Sequence, residues 1–307
     1  MLKLILGPSG SGKSTLLLQE LKARAENGRE SLLLVPEQFT SSTEGTLYHV
    51  LGDALSGYVD SYSFTSLAET LLRLYGGAAV PTLTDAGRAL LVRRAVDNLQ
   101  GKLDYYGRQC RSTAFCEKAA QTIEELKSAG VRPEALEAYA RAPGAAQKKL
   151  SELALLYGAY EGLLQGVLTD PGDRVEQAAR ALAEQGGSRP AFFAGKTVFV
   201  DEFDTFNAGK RAILAAMLPV ADVVISLCGD GGEELEGDYT VFSGTRRVES
   251  VLRRLAARAG VPTLVLTHYV PPLAPGQEDQ WRALAAKEFS GRVELGDDLL
   301  RVSVGTP

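Results

Sequence analysis

Three groups of side chains in this chain of 307 residues have types and spacing that suit chemistry. The first is Gly7-Pro8-Ser9-Gly10-Ser11-Gly12-Lys13-Ser14-Thr15, which follows the apolar run Leu2 to Leu6 and precedes Leu16-Leu17-Leu18. Strand, glycine-rich turn and helix in that order make a P-loop. Gly7, Gly10 and Gly12 let consecutive N–H groups converge on a phosphate, and the dipole of the following helix adds positive potential there. With Ser11 and Thr15 they are the expected nucleotide-binding residues. The Lys13 ammonium is expected against the β- and γ-phosphates, and the Ser14 hydroxyl on a magnesium ion that bridges them. ATP and Mg²⁺ are thus the expected ligands.

The second group is Val198-Phe199-Val200-Asp201-Glu202, an apolar strand with two carboxylates at its tip. Asp201 is expected to reach the same magnesium, and Glu202 to orient or deprotonate an attacking water. The third group lies between Arg88 and Lys118, where Arg93, Arg94, Arg108 and Arg111 stand among Tyr105, Tyr106 and Phe115. Cations that follow phosphates, interleaved with aromatics on which bases stack, suit single-stranded nucleic acid. An ordinary solvated helix face with core aromatics accounts for the same residues.

The elements that must position these groups follow from periodicity. Leu2 to Leu6, Ser31 to Val35 and Val59 to Phe64 read as strands, with helices from Ser14 to Ala25 and from Glu44 to Leu55 between them. Ser66-Leu67-Ala68-Glu69 reads as a capping box that opens a helix ending at Gly76-Gly77. From Pro81 to Pro190 the strand pattern gives way to helices: Ala86 to Leu99, Ala114 to Ser128, Glu134 to Arg141, Ala145 to Gln165, and Asp173 to Gln185 before Gly186-Gly187. The strand pattern then returns at Thr197, Val223 to Leu227 and Thr263 to Leu266, alternating with helices at Ala208 to Leu218, Thr245 to Ala259 and Glu278 to Phe289. The reading is an α/β core with a parallel sheet, over 1–80 and 191–307, interrupted by an all-helical insertion over 81–190.

Composition narrows the classes. With 45% hydrophobic residues the chain can bury a large core, and a net charge of -5 rules out a global basic field. Cys110, Cys116 and Cys228 form no paired framework and read as reduced thiols. No apolar run approaches a membrane span, so the expectation is a cytoplasmic protein with no membrane partner. His49 and His268 are isolated and read as structural or exposed.

The ordered series of segments resembles the N-terminal region of AddB (RexB), one of the two subunits of the bacterial AddAB ATP-dependent helicase-nuclease. Besides the glycine-rich loop, it is carried by Leu32-Leu33-Leu34-Val35-Pro36-Glu37-Gln38-Phe39-Thr40, Tyr62-Ser63-Phe64-Thr65-Ser66-Leu67, Ala114 to Lys118 through Glu124 to Lys127, and Val200-Asp201-Glu202-Phe203-Asp204-Thr205-Phe206. The resemblance implies a RecA-like core of the superfamily 1 helicase kind with a helical insertion. It further implies a role in resecting DNA double-strand breaks for recombinational repair, with DNA and the AddA/RexA helicase-nuclease as partners, the latter in a heterodimer. Phe64 joins Arg93, Arg94, Arg108, Arg111 and Tyr105 as an expected nucleic-acid residue. The family's nuclease domain and 4Fe-4S cluster are implied to lie outside this chain, which reads as an N-terminal piece ending on a strand near Val302 to Pro307.

Departures from an active motor are equally legible. The strand begins at Leu2, which leaves no room upstream for the glutamine that reads adenine in superfamily 1. Gly229-Asp230 is followed by Gly231-Gly232-Glu233-Glu234, where that superfamily places a glutamine that senses the γ-phosphate. Arginine fingers would come from a second motor domain, and a missing finger costs ~10³ or more in rate. The chain alone is therefore expected to bind nucleotide better than it hydrolyses it. Two further classes stay open: a P-loop kinase with the insertion as lid, and a non-catalytic module that holds DNA or a partner on a nucleotide fold.

Overall fold

The computed structural model describes residues 1–76, 81–99, 101–141, 146–165, 168–184, 191–230, 240–267 and 276–296. The expectations for Gly186-Gly187, Gly231 to Glu234, His268 and the terminal strand fall outside these residues. The first α/β part comprises β1 (Leu2–Gly7), α1 (Lys13–Glu26), β2 (Ser31–Leu34), α2 (Thr40–Leu55), β3 (Val59–Tyr62) and α3 (Phe64–Tyr75). Then come the helices α4 (Asp85–Asn98), α5 (Thr113–Ala129), α6 (Pro133–Ala140), α7 (Gln147–Leu164) and α8 (Arg174–Glu184). The chain returns to the sheet through β4 (Thr197–Val200), α9 (Ala208–Met217), β5 (Asp222–Cys228), α10 (Ser243–Arg258), β6 (Thr263–Thr267), α11 (Glu278–Ala286) and β7 (Arg292–Gly296).

The seven strands form one sheet in the order β3-β2-β4-β5-β1-β6-β7, and every pairing is parallel. β1 therefore sits between β5 and β6, and the chain leaves it first toward one edge and later toward the other. Such a reversal opens a crevice at the carboxyl ends of the strands. Burial on both faces explains the almost unbroken apolar runs of β1, β2, β4 and β5. Leu2, Leu4, Leu6, Leu32, Leu34, Val198, Val200, Val223, Ile225 and Leu227 face one cluster, with α3, α8 and α9; Ile5, Leu33, Phe199 and Val224 face the other, with α1 and α2.

The insertion has a core of its own. Val92, Ala95, Val96, Cys116, Ala120, Ile123, Leu156, Tyr157 and Tyr160 pack α4, α5 and α7 together. α8 behaves differently, since its Ala178, Ala179 and Leu182 join the cluster on the sheet. The start of the insertion is held beside the turn that precedes α8: Thr82 bridges Thr169 in a parallel pair, and the Arg174 guanidinium binds both oxygens of Glu69 on α3 as well as the Thr82 hydroxyl. Just beside them Lys127 Nζ lies 2.7 Å from Glu161, 3.3 Å from Asp170 and 2.7 Å from Asp173. Burial alone lowers this ammonium, but the hydrogen-bonded carboxylates of Asp173 and Glu161 outweigh it and raise the group above its ordinary value.

Several local expectations are corrected. β3 stops at Tyr62, and α3 begins at Phe64 with Ser63 as its cap. The capping box pairs Ser63 with Ser66: the Ser63 hydroxyl accepts the Ser66 N–H (3.1 Å), and the Ser66 hydroxyl accepts the Ser63 N–H (2.9 Å). Glu69 is left for Arg174. α2 starts earlier than expected, at Thr40, and Gly52 breaks its regularity with a φ of 67°. α11 ends at Ala286, short of Phe289. β7 lacked a sequence signal because Arg292-Val-Glu-Leu-Gly is an edge strand with only two apolar residues.

Candidate functional site

The glycine-rich loop turns as its sequence requires. Gly10 (φ 77°) and Gly12 (φ 88°) occupy the left-handed region, where a side chain would be strained. Gly12 precedes α1 and offers its first-turn N–H groups no side-chain cap, and Lys13 and Ser14 of that turn line the cleft. The Lys13 ammonium donates to the Pro8 carbonyl at 2.8 Å, and the Gly229 N–H donates to the Gly7 carbonyl, tying the tip of β5 to the loop.

At the carboxyl ends of the strands, a cleft of about 370 Å³ is lined by Ser9, Gly10, Lys13, Ser14, Gln38, Phe39, Asp201, Glu202, Phe203, Asp204, Ser226 and Cys228. A smaller hollow of about 190 Å³ continues from it between α1 and α2, sharing Ser14, Phe39, Asp201 and Glu202. The structure thus brings Lys13, Ser14, Asp201 and Glu202 to one place from two segments almost two hundred residues apart. Gly7 ends β1 opposite Cys228, while Ser11, Gly12 and Thr15 shape the loop and first turn without lining the cleft. Sequence reading missed Gln38, Phe39, Phe203, Asp204, Ser226 and Cys228. Gln38, Phe39, Phe203 and Asp204 lie in segments that carry the resemblance, and Ser226 is a polar residue within the buried run Val223 to Leu227 of β5.

Asp201 is buried, and its Oδ1 accepts both the Glu202 N–H (3.0 Å) and the Ser226 hydroxyl. Glu202 has a φ of 65° and is the non-glycine residue with positive φ among the described residues, a conformation that stores strain. Phe203 follows it into an aromatic cluster, with Phe64 at 5.1 Å and Phe206 at 5.6 Å between ring centroids. Lys210 Nζ stands 4.8 Å over the Phe203 ring and 5.8 Å over Phe64. Burial pulls the Lys210 ammonium below its usual range, with Glu37 opposing the shift.

An ammonium, a helix N-terminus free of a side-chain cap, a hydroxyl and a carboxylate around one cleft form a donor set that fits a phosphate with a hard divalent cation. The cation's remaining ligands would be phosphate and water. Among the described residues no three His, Cys, Asp or Glu side chains are grouped as a metal site in themselves. The cysteines do not fit an iron-sulfur cluster: Cys110 and Cys116 are buried in the insertion, and Cys228 is at the cleft.

The basic group lies on the insertion. The Arg93 guanidinium donates to the Arg111 carbonyl, which joins α4 to the short turn over Gly107–Arg111 that also carries Arg108. Glu152 on α7 anchors the loop before it by accepting the Tyr105 N–H (2.6 Å) and Tyr106 N–H (3.2 Å). Arg94, Arg108 and Arg111 are exposed, as is Tyr105, whose ring stands edge-on to Tyr106. Phe64 differs from the expectation of an accessible ring. It is 3% exposed and packs edge-on against Phe203 and Phe206 beneath the cleft, because it opens α3 on the face that meets the sheet.

The fold and site together define a parallel α/β protein with a phosphate-suited loop at the switch of its strand order and a helical insertion. Family comparison places it more closely: residues 4–279 match the family described as ADDB, N-terminal, and the chain belongs to that family. It is 35% identical over 274 residues to the B subunit of the ATP-dependent helicase/deoxyribonuclease of Moorella thermoacetica, a match covering 85% of this chain and 23% of the relative. Proteins of the same name from Desulforudis audaxviator (35% over 272 residues, 85% and 23%) and Heliobacterium modesticaldum (31% over 290 residues, 90% and 23%) are similarly related. The chain thus corresponds to about a quarter of the length of these relatives. Among the described residues no helix is long and apolar enough to cross a membrane.

Proposed function

We propose that this chain is the ATP-binding, RecA-like part of a DNA-processing subunit that acts in double-strand-break repair together with an AddA/RexA-type partner. The observation that carries the reading is the convergence of Lys13, Ser14, Asp201 and Glu202 on one cleft at the carboxyl edge of a parallel sheet. The strand order supports it, since β5 separates the loop-bearing β1 from the acid-bearing β4, and the cleft lined from both measures about 370 Å³. In this reading the N–H groups of Gly10 and Gly12 and the Lys13 ammonium hold phosphate oxygens, and Ser14 and Asp201 hold Mg²⁺. The metal supplies neutralisation of the charge that develops on those oxygens. Glu202, held above the cleft by its left-handed turn, accepts a proton from water.

The exposed Arg94, Arg108, Arg111 and Tyr105 of the insertion give the DNA-contacting surface in the same reading. The test is equilibrium binding of a labelled single-stranded oligonucleotide across salt concentrations, with and without ATP and Mg²⁺. Arg108→Gln with Arg111→Gln is expected to weaken binding and to lower the slope of log K against log salt by up to about 1.4, from ~0.7 per lost phosphate contact on a single strand. An unchanged slope would remove the insertion as the DNA surface. DNA affinity insensitive to ATP would leave a static clamp, and phosphate transfer to a small acceptor would establish a kinase instead.

A further inference from the structure

The serine of β5 stands where the fold calls for an apolar residue. β5 is buried over most of its length, and Ser226 is 3% exposed. In register it lies beside Ile5 of β1, and Asp201 follows directly after the Val200–Ile225 pair of β4 and β5. Period-two alternation puts Ser226 on the same side as Val224, and Asp201 on the same side as Phe199, facing the cluster under α1 and α2. A hydroxyl there loses its water and must find a partner. Its partner is Asp201 Oδ1, and the Glu202 N–H takes a second lone pair of that same oxygen. Among the described residues Asp201 Oδ2 receives no hydrogen bond.

Two donors on one oxygen fix the plane of the carboxylate and make its two oxygens unequal. Oδ1 is committed to the protein, which leaves Oδ2 as the acceptor without a protein donor on a residue that lines the cleft. Because β5 lies between β1 and β4, Ser226 is also the side chain that joins the Asp201 tip to the strand next to the loop.

We propose that Ser226 is a positioning residue for the divalent cation: it orients Asp201 so that only Oδ2 faces the metal and its waters. This rests on reading the cleft as an ATP site. Groups that orient a ligand from behind typically change metal affinity about 10–100-fold when removed. A role confined to packing would alter stability and every kind of binding together.

The experiment measures binding of a fluorescent ATP analogue to the chain at increasing Mg²⁺ and in EDTA, for wild type, Ser226→Ala and Ser226→Thr, with unfolding temperatures taken alongside. The expected result is a half-saturating Mg²⁺ about 10–100-fold higher in Ser226→Ala, unchanged affinity in EDTA, and recovery in Ser226→Thr. If Ser226→Ala does not fold, Ser226→Cys carries the same comparison with a weaker donor of similar size. An unshifted Mg²⁺ midpoint, an equal loss with and without metal, or a threonine variant that behaves like alanine would overturn the assignment while leaving the ATP site standing. A folded wild type that binds no nucleotide would overturn both.

Discussion

Replacing Lys127 with methionine removes one ammonium from a buried cluster of three carboxylates. Lys127 and Asp170 are 5% and 2% exposed at their side chains, so solvent screens their pair little. Asp170 keeps the Tyr160 hydroxyl (2.8 Å) and the Gly172 N–H (3.3 Å), but Asp173 and Glu161 lose their 2.7 Å partner. Breaking a buried pair from one side costs about 3–5 kcal/mol, and the partial exposure of Asp173 and Glu161 points to the lower end. The loss should depend on pH in a definite sense. Burial already raises the Asp173 carboxyl, against the opposing pull of Lys127. Without that pull the folded state holds its proton more tightly than the unfolded chain does, so the variant regains stability as pH falls toward the carboxylate range. In the wild type the raised Lys127 contributes in full below its ordinary value and loses its contribution as pH rises above it. The assay is urea unfolding followed by circular dichroism at pH 5 and pH 8, with Lys127→Arg as the charge-retaining comparison. A loss below about 1 kcal/mol at pH 8, the range of an exposed pair, would refute the view that this cluster ties α5 and α7 to the turn that leads into α8.

Other expectations follow from single residues. Glu202→Gly relieves the left-handed strain and adds unfolded-state entropy, for a net gain of ~1 kcal/mol in stability, with loss of any hydrolysis; a lower unfolding midpoint would contradict it. Cys228 should be alkylated in the native chain and protected by ATP with Mg²⁺, whereas the buried Cys110 and Cys116 should react only on unfolding; mass spectrometry of the labelled peptides decides this. Burial pushes the Glu249 carboxyl from 4.5 up to about 7, with Arg253 opposing. Its share of stability is therefore greatest below 4.5 and falls as pH rises toward 7, and Glu249→Gln should flatten the unfolding midpoint across that window.

The parallel core was legible because its strands are buried on both faces. Runs such as Leu32-Leu33-Leu34-Val35 and Val198-Phe199-Val200 carry that burial in their composition, and glycine at 10 and 12 marks the loop by backbone need alone. The order of strands was not legible, since periodicity says nothing of neighbours. For the same reason no local pattern tied Ser226 to Asp201 or Gln38 to Lys13. The cap at Ser63 was missed because a serine can stand in for the usual acid at the third position, which displaced the box to Ser66 and Glu69. Phe64 shows the limit from the other side: an aromatic beside a motif reads equally as a stacking platform or a core ring, and only packing against Phe203 and Phe206 distinguishes the two.

The proposed function stands or falls with ATP and Mg²⁺ in the cleft between the glycine-rich loop and Asp201. Its most direct test is equilibrium binding of a fluorescent ATP analogue in the presence of Mg²⁺ to wild type, Lys13→Ala and Asp201→Ala, with phosphate release followed in the same samples. Binding by the wild type with little turnover is expected, with an affinity loss in Lys13→Ala of at least about tenfold, or ~1.4 kcal/mol. The Asp201→Ala loss should appear only when Mg²⁺ is present. A folded wild type that binds no nucleotide, or a Lys13→Ala variant that binds as well as wild type, would contradict it.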